Sequence, residues 1–118
     1  MDKKRILLVD DEPGIQLLYR GEFEDDGYLI DSALNGAEAL DHFRANPPDL
    51  VILDINMPGM NGIEVLRQMK EMRADLPVIL CSAYPEYKRD LGSWASDDYV
   101  VKSANLDELK SVVRKHLG

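Results

Sequence analysis

The chain predicts an α/β fold, a five-stranded parallel sheet wound on both faces, and three observations carry that expectation. Five short apolar runs alternate with five helix-like segments, the pattern of a parallel sheet with right-handed crossovers. Four of the runs are apolar without interruption, as strands covered on both faces are. The whole is 118 residues long. That is the length of one domain, 1–118, and it buries roughly two-thirds of its unfolded surface with no need of a disulfide or metal.

The first strand is expected at Ile6–Val9. Pro13 to about Asp26 follows as a helix, with Ile15, Leu18, Tyr19 and Phe23 on one stripe and Gly27 as its stop. Leu29–Ala33 alternates apolar and polar residues, as an edge strand does. Asn35-x-x-Glu38 has the form of a capping box, a side-chain acceptor followed three residues on by a carboxylate, and Ala39, Leu40 and Phe43 continue at helical spacing. Leu50–Leu53 is the third strand. Asn61-x-x-Glu64 starts the third helix, with Val65, Leu66 and Met69 on its apolar face and Met69 and Met72 as core and rim packing. Val78–Cys81 is the fourth strand. Pro85–Asp97 has a poor apolar pattern and contains Pro85, Gly92 and Ser93, so it predicts a short fourth helix that is the least protected part of the domain. Tyr99–Val101 is the fifth strand, and Asn105-x-x-Glu108 opens a last helix lined by Leu106, Leu109, Val113 and Leu117. For five such strands the common doubly wound order is the flavodoxin-like 2-1-3-4-5, whose switch point lies between strands 1 and 3.

Composition narrows the partners. Apolar residues make up 45% of the chain and charged residues 31%, with a formal net charge of −8. A field of that sign repels nucleic acid and anionic lipid, so direct contact with either is not expected. No apolar stretch approaches the roughly 18 residues of a membrane span, and the N-terminal apolar run is cut short by Asp10, Asp11 and Glu12. Cys81 lies inside an apolar run and reads as a buried, inert thiol. A lone cysteine fits a reducing compartment, and a soluble cytoplasmic domain is the expectation.

The chemistry gathers at the switch point. Strand 1 runs into Asp10-Asp11 and strand 3 into Asp54, and on this topology the three acids converge on one crevice. Two carboxylates about 5 Å apart repel by roughly 3 kcal/mol at an effective dielectric near 20. Three of them shift their pKa values or take up a cation, and hard oxygen ligands select magnesium, calcium or manganese. Magnesium typically uses one or two carboxylates plus a phosphate oxygen, so the arrangement points to phosphate chemistry on a carboxylate nucleophile. Strand 4 ends in Ser82-Ala83, a hydroxyl with a small neighbour, and strand 5 ends in Lys102, whose ammonium would bind a phosphoryl oxygen or pair with Asp54. Taken singly, an aspartate after a strand is a cap or turn residue, a serine there a turn residue, and a lysine a solvated charge. Five such residues at four neighbouring strand ends are specific.

With those residues in view, the chain resembles a receiver domain of the two-component response-regulator family. "ILLVDDE", "PDLVILDINMPGMNGIEVL", "PVILCSAY" and "DYVVKS" stand in the family's order, and the resemblance covers essentially the whole chain. The strand order above is that family's own, so the two expectations are not independent. The resemblance implies Asp54 as acceptor of a phosphoryl group from a histidine kinase or phosphotransfer protein. It implies Mg2+, with Mn2+ as a substitute, held by Asp10, Asp11, Asp54 and the backbone carbonyl of Asn56. Lys102 would contact the phosphoryl group, Ser82 would swing toward it, and Tyr99 would rotate inward. The face of the fourth predicted helix, strand 5 and the last helix would then be remodelled for an output domain, a target protein or a second receiver copy. Asn56 and Tyr84 stand where the family tunes phosphoryl lifetime by gating water.

Two departures stand out. Ser103 follows Lys102 where receivers usually carry a proline after a cis bond, and a cis Lys102–Ser103 bond is expected from the lysine's need to reach the site. Ala95-Ser96 replaces the Gly-Ala pair the family often has before strand 5. Trp94 and Tyr87 are expected as packing or docking residues, and His42 and His116 as solvated. Three competing readings are weaker. A flavin-binding electron carrier needs a Ser/Thr/Gly-rich phosphate loop where this chain reads "DDEPG". A haloacid-dehalogenase-type phosphatase carries a second Asp two residues after the nucleophile, where Asn56 stands. A degenerate receiver would lack some of the acids, the hydroxyl or the lysine, all of which are present. The expected role is therefore a signalling switch that assists its own phosphorylation and dephosphorylation, not an enzyme with a separate substrate.

Overall fold

Five strands pair in parallel in the order β2-β1-β3-β4-β5 in a computed structural model that describes residues 3–55, 62–82, 98–102 and 105–118. The elements run β1 (Arg5–Val9), α1 (Pro13–Asp25), β2 (Leu29–Ala33), α2 (Gly36–Ala45), β3 (Leu50–Asp54), α3 (Gly62–Met72), β4 (Val78–Ser82), β5 (Asp98–Val101) and α4 (Asp107–Leu117). The strands fall where their apolar runs predict, most of them extended by one residue. Four helices are found among the described residues. The helix expected over Pro85–Asp97, with Tyr87, Trp94 and the Ala95-Ser96 pair, lies outside them, as do Asn56, Asn61, Tyr84 and the Lys102–Ser103 bond.

Alternation along the strands divides the interior in two. Leu7, Val9, Val51, Leu53, Val78 and Leu80 pack with Ala39, Leu40 and Phe43 of α2 and Val65, Leu66 and Met69 of α3. On the other face Ile6, Leu8, Ile52, Ile79, Cys81 and Val100 pack with Tyr19 and Phe23 of α1 and Leu109 and Val113 of α4. Because both faces are covered, β3 and β4 are buried along their whole length, which is why those strands read as unbroken apolar runs. β2 is one edge of the sheet, opposite β5, with Leu29 exposed and Asp31 paired to Arg5 at 2.7 Å.

Local signals explain the helix ends. Asn35 Oδ1 accepts from the Glu38 N–H at 2.9 Å, capping α2 as its capping-box spacing predicts. Gly27 takes φ 97°, a left-handed turn that stops α1. Elsewhere the structure corrects the expectation. Leu18 is 47% exposed, and its place on the buried stripe of α1 belongs to Gln16, beside Tyr19 and Phe23. Asn105 is not the cap of a box closed by Glu108. Its Oδ1 accepts from the Asp107 N–H at 2.9 Å, an Asx-turn that sets Leu106 at the cap position. His116 is not solvated, since its Nε2 lies 2.7 Å from Asp98 Oδ2, which Lys115 Nζ also approaches at 2.9 Å.

Candidate functional site

The register delivers the acids to one rim. Val9 pairs with Leu53, so the residues that follow, Asp10 and Asp54, leave adjacent strands side by side. Asp54 is opposite Cys81, and Ser82 is opposite Val101, the residue before Lys102. Asp10, Asp54 and Ser82 are all buried, at 3%, 4% and 0% exposure. Asp11 is half-buried and Glu12 exposed.

Lys102 joins the rim from the far side. Its backbone N–H donates to Ser82 O at 2.6 Å, which sets the start of its side chain over the cleft. Its Nζ lies 2.8 Å from Asp10 Oδ2 and 3.3 Å from Asp54 Oδ2, with Glu12 Oε1 at 3.9 Å. Burial alone would pull the ammonium's pKa down. The hydrogen bond and charge of Asp10, followed by those of Asp54, outweigh burial and hold it above the ordinary lysine value. One cation thus stands between two buried carboxylates, and it is closer to Asp10 than to Asp54.

The other oxygen of Asp10, Oδ1, accepts from the Glu12 N–H at 2.9 Å, folding the acidic turn back on itself. Carboxylate oxygens of Asp10, Asp11 and Glu12 lie within 4.8 Å of one another. This is an all-oxygen donor set of the kind hard divalent cations take. Beneath it, Cys81 is buried with its thiol pushed up to about 12 by desolvation, so it is no nucleophile or soft ligand. Tyr99 is half-buried against the core on the α2/α3 side.

Of the residues singled out in the sequence, Asp10, Asp11, Asp54, Ser82 and Lys102 come to one rim, and Tyr99 pairs with Leu80, two residues before Ser82 on the neighbouring strand. Asn56 and Tyr84 lie outside the described residues. Sequence reasoning missed Glu12, whose position beside two acids was the available signal. It also missed Gln16, a polar residue at helical spacing from Tyr19 and Phe23 that a hydrophobicity count passes over. Among the described residues no helix is long and apolar enough to cross a membrane.

Comparison with known proteins follows the same outline. A sequence profile of the response regulator receiver domain matches residues 6–114. Sporulation initiation phosphotransferase F of Bacillus subtilis is 38% identical, over 99% of this chain and 96% of its own. Response regulator TrrA of Thermotoga maritima, solved in complex with Mg2+-BeF, is 54% identical, with a TM-score of 0.90 over 95% of this chain and 97% of that one. A solved complex of histidine kinase ThkA with TrrA matches at 52% identity and a TM-score of 0.90, covering 98% of this chain and 99% of the matched one.

Proposed function

This chain belongs to the response-regulator receiver family, and from that premise we propose that Asp54 is its phosphoacceptor. Residues 1–118 act on this reading as one receiver domain that takes the phosphoryl group from a phosphohistidine of a histidine kinase or phosphotransfer protein. The observation that carries it is the Lys102 ammonium shared by Asp10 and Asp54, which ties a buried carboxylate at a strand tip to the acidic turn beside it.

An Asp54 carboxylate oxygen attacks phosphorus as the P–N bond breaks, and the imidazole departs with that electron pair. The product is an aspartyl phosphate carrying about 1.5 to 2 negative charges. Asp10 and Asp11, with Asp54 and the Asn56 carbonyl, would hold a magnesium or manganese ion. Bound there, that ion would supply positive charge to stabilise the transferring oxygens. Glu12, whose carboxylate lies beside those of Asp10 and Asp11, would add negative charge to the same cation site. Lys102 moves its charge from Asp10 toward the new phosphoryl oxygens, and Ser82 offers them a hydroxyl donor. Tyr99 follows inward as Ser82 shifts.

The domain is a signalling switch. Its own catalysis is confined to gaining and losing its phosphoryl group, with Asn56 and Tyr84 setting how fast water reaches it. The readout on this reading is the face of β5 and α4, where an output domain, a target protein or a second copy would dock; the fourth predicted helix, expected to share that face, lies outside the described residues. TrrA's complexes with Mg2+-BeF and with a histidine kinase support the same assignment here. With its charge of −8, the domain would act on nucleic acid or membrane only through a partner. The test is incubation with Mg2+ and acetyl phosphate, wild type beside Asp54→Ala. A mass gain of one phosphoryl group is expected for the wild type and none for the variant. An equal gain in both would place the acceptor elsewhere.

A further inference from the structure

Gln16 is a buried polar side chain, 7% exposed, that the phosphoryl chemistry does not use. It lies in the first turns of α1, and its backbone N–H donates to Glu12 O at 3.1 Å, the bond that starts the helix. Its amide Nε2 lies 3.1 Å from Leu8 O, 3.0 Å from Asp10 O and 2.9 Å from Ala33 O. Three carbonyls share two protons. The opposite amide orientation would set oxygen against three oxygens, so the donor half must face them.

These bonds join the end of β1, the first acid beyond it and the end of β2. Ala33 O also accepts from the Asp10 N–H at 3.1 Å. The Asp10 residue is therefore held at its N–H by β2 and at its carbonyl by Gln16. With both held, its side chain points one way, toward the Glu12 N–H and Lys102 Nζ. The other half of the amide gains nothing, since Gln16 Oε1 is buried and accepts no hydrogen bond among the described residues. An orphaned acceptor is unfavourable, and leucine or methionine would fill the same stripe without it. The donors are what this position keeps glutamine for.

We propose that Gln16 is a positioning residue for the cation site, its amide fixing Asp10 and so the Asp10-Asp11-Glu12 turn in the direction a divalent ion needs. The inference rests on the reading that Mg2+ binds this turn. Groups that orient metal ligands without touching the metal are commonly worth about 10- to 100-fold in affinity. The amide does so without charge, leaving the balance of the cleft to Lys102.

The test is Mg2+ titration by calorimetry together with hydrogen exchange of the Glu12 amide, the proton that Asp10 Oδ1 accepts. Gln16→Met should weaken Mg2+ binding about ten-fold or more and, with no metal present, speed exchange at Glu12. Leu40→Ala, a core truncation on the other face of the sheet, should lower stability and move neither readout. Gln16→Asn, which keeps the amide but shortens its reach, must show both effects where Gln16→Met does not fold. Wild-type affinity and an equally protected Glu12 amide in the Gln16 variant would overturn the positioning role. Wild-type protein that takes up no Mg2+, or that binds it equally well as Asp11→Asn, would instead overturn the cation reading and this proposal's metal half. The Glu12 exchange comparison would still decide whether Gln16 holds the turn.

Discussion

Gly62, the first residue of α3, meets the end of β3 at Asp54 and Ile55 with no room for a side chain. A Cβ built there would stand 2.7 Å from Ile55 Cα and 3.0 Å from Asp54 C, and closer still to the Asp54 carbonyl oxygen. All three are backbone atoms, so no flexible side chain can yield. The Gly62 N–H also donates to Ile55 O at 2.8 Å, tying the helix start to the strand end. Relieving the clash needs a shift of roughly 1 Å to reach ordinary contact distance. Overpacking of this kind costs typically about 1–3 kcal/mol, while alanine in a helix regains about 0.5–1 kcal/mol over glycine. Gly62→Ala should therefore lose about 1–2 kcal/mol net, lowering the urea midpoint by roughly 1 M. Because the strain falls on Asp54, its reaction with acetyl phosphate should slow by ten-fold or more, as misplacement by about 1 Å does. Gly21→Ala is the internal comparison. Gly21 lies within α1 with nothing within 4 Å of its would-be Cβ, so the same change should stabilise by about 0.4–1 kcal/mol. If Gly62→Ala gained stability as Gly21→Ala does, the close approach and the reasoning built on it would be refuted.

Lys102→Met would leave Asp10 and Asp54 buried without their shared cation. Losing one partner of a buried pair costs about 3–5 kcal/mol, so a large fall in thermal midpoint is expected, partly restored by millimolar Mg2+; a midpoint that ignores Mg2+ would count against the site. At Asp98, burial would raise the carboxyl's pKa, but the contacts of His116 and Lys115 outweigh it and the net direction is down from 3.8. A depressed carboxyl stabilises the fold above its unfolded value and loses that contribution as pH falls through its folded one. Asp98→Asn should therefore flatten the acid side of the stability–pH curve below about pH 4, and a curve superimposable on wild type would remove Asp98 from that balance. Cys81, buried with its thiol at about 12, should resist a disulfide reagent at pH 8 until denaturant is added, whereas stoichiometric reaction of the native protein within minutes would contradict the packing.

Much of the fold was legible because burial on both faces leaves a plain mark. Leu50-Val51-Ile52-Leu53 and Val78-Ile79-Leu80 read as central strands since no position in them meets water. The acids were legible for the opposite reason: Asp10 ends the run Ile6–Val9 and Asp54 the run Leu50–Leu53, and topology alone makes them neighbours. What escaped depends on contacts that periodicity does not encode. Gln16 is held by three carbonyls, one in β1, one just beyond it and one in β2, a partnership no hydrophobic pattern announces, and counting Leu18 in its place followed from hydrophobicity. His116 meets Asp98 from 18 residues away. Asn105 resembled Asn35 in spacing, yet whether an asparagine caps a helix or makes a turn ahead of it depends on where the chain leaves β5.

The sheet is also a partition. Among the described residues, none of the α2/α3-side core belongs to the α1/α4-side core, so loosening one need not be felt by packing in the other. On the proposed reading, a message starting at Asp54 reaches α4 without crossing the wall, since Ile52 of the same strand already packs with Leu109 and Val113. At the rim Lys102 reaches from the last strand to the first and third, and a fresh charge there would be relayed as a tug on the strand that precedes α4.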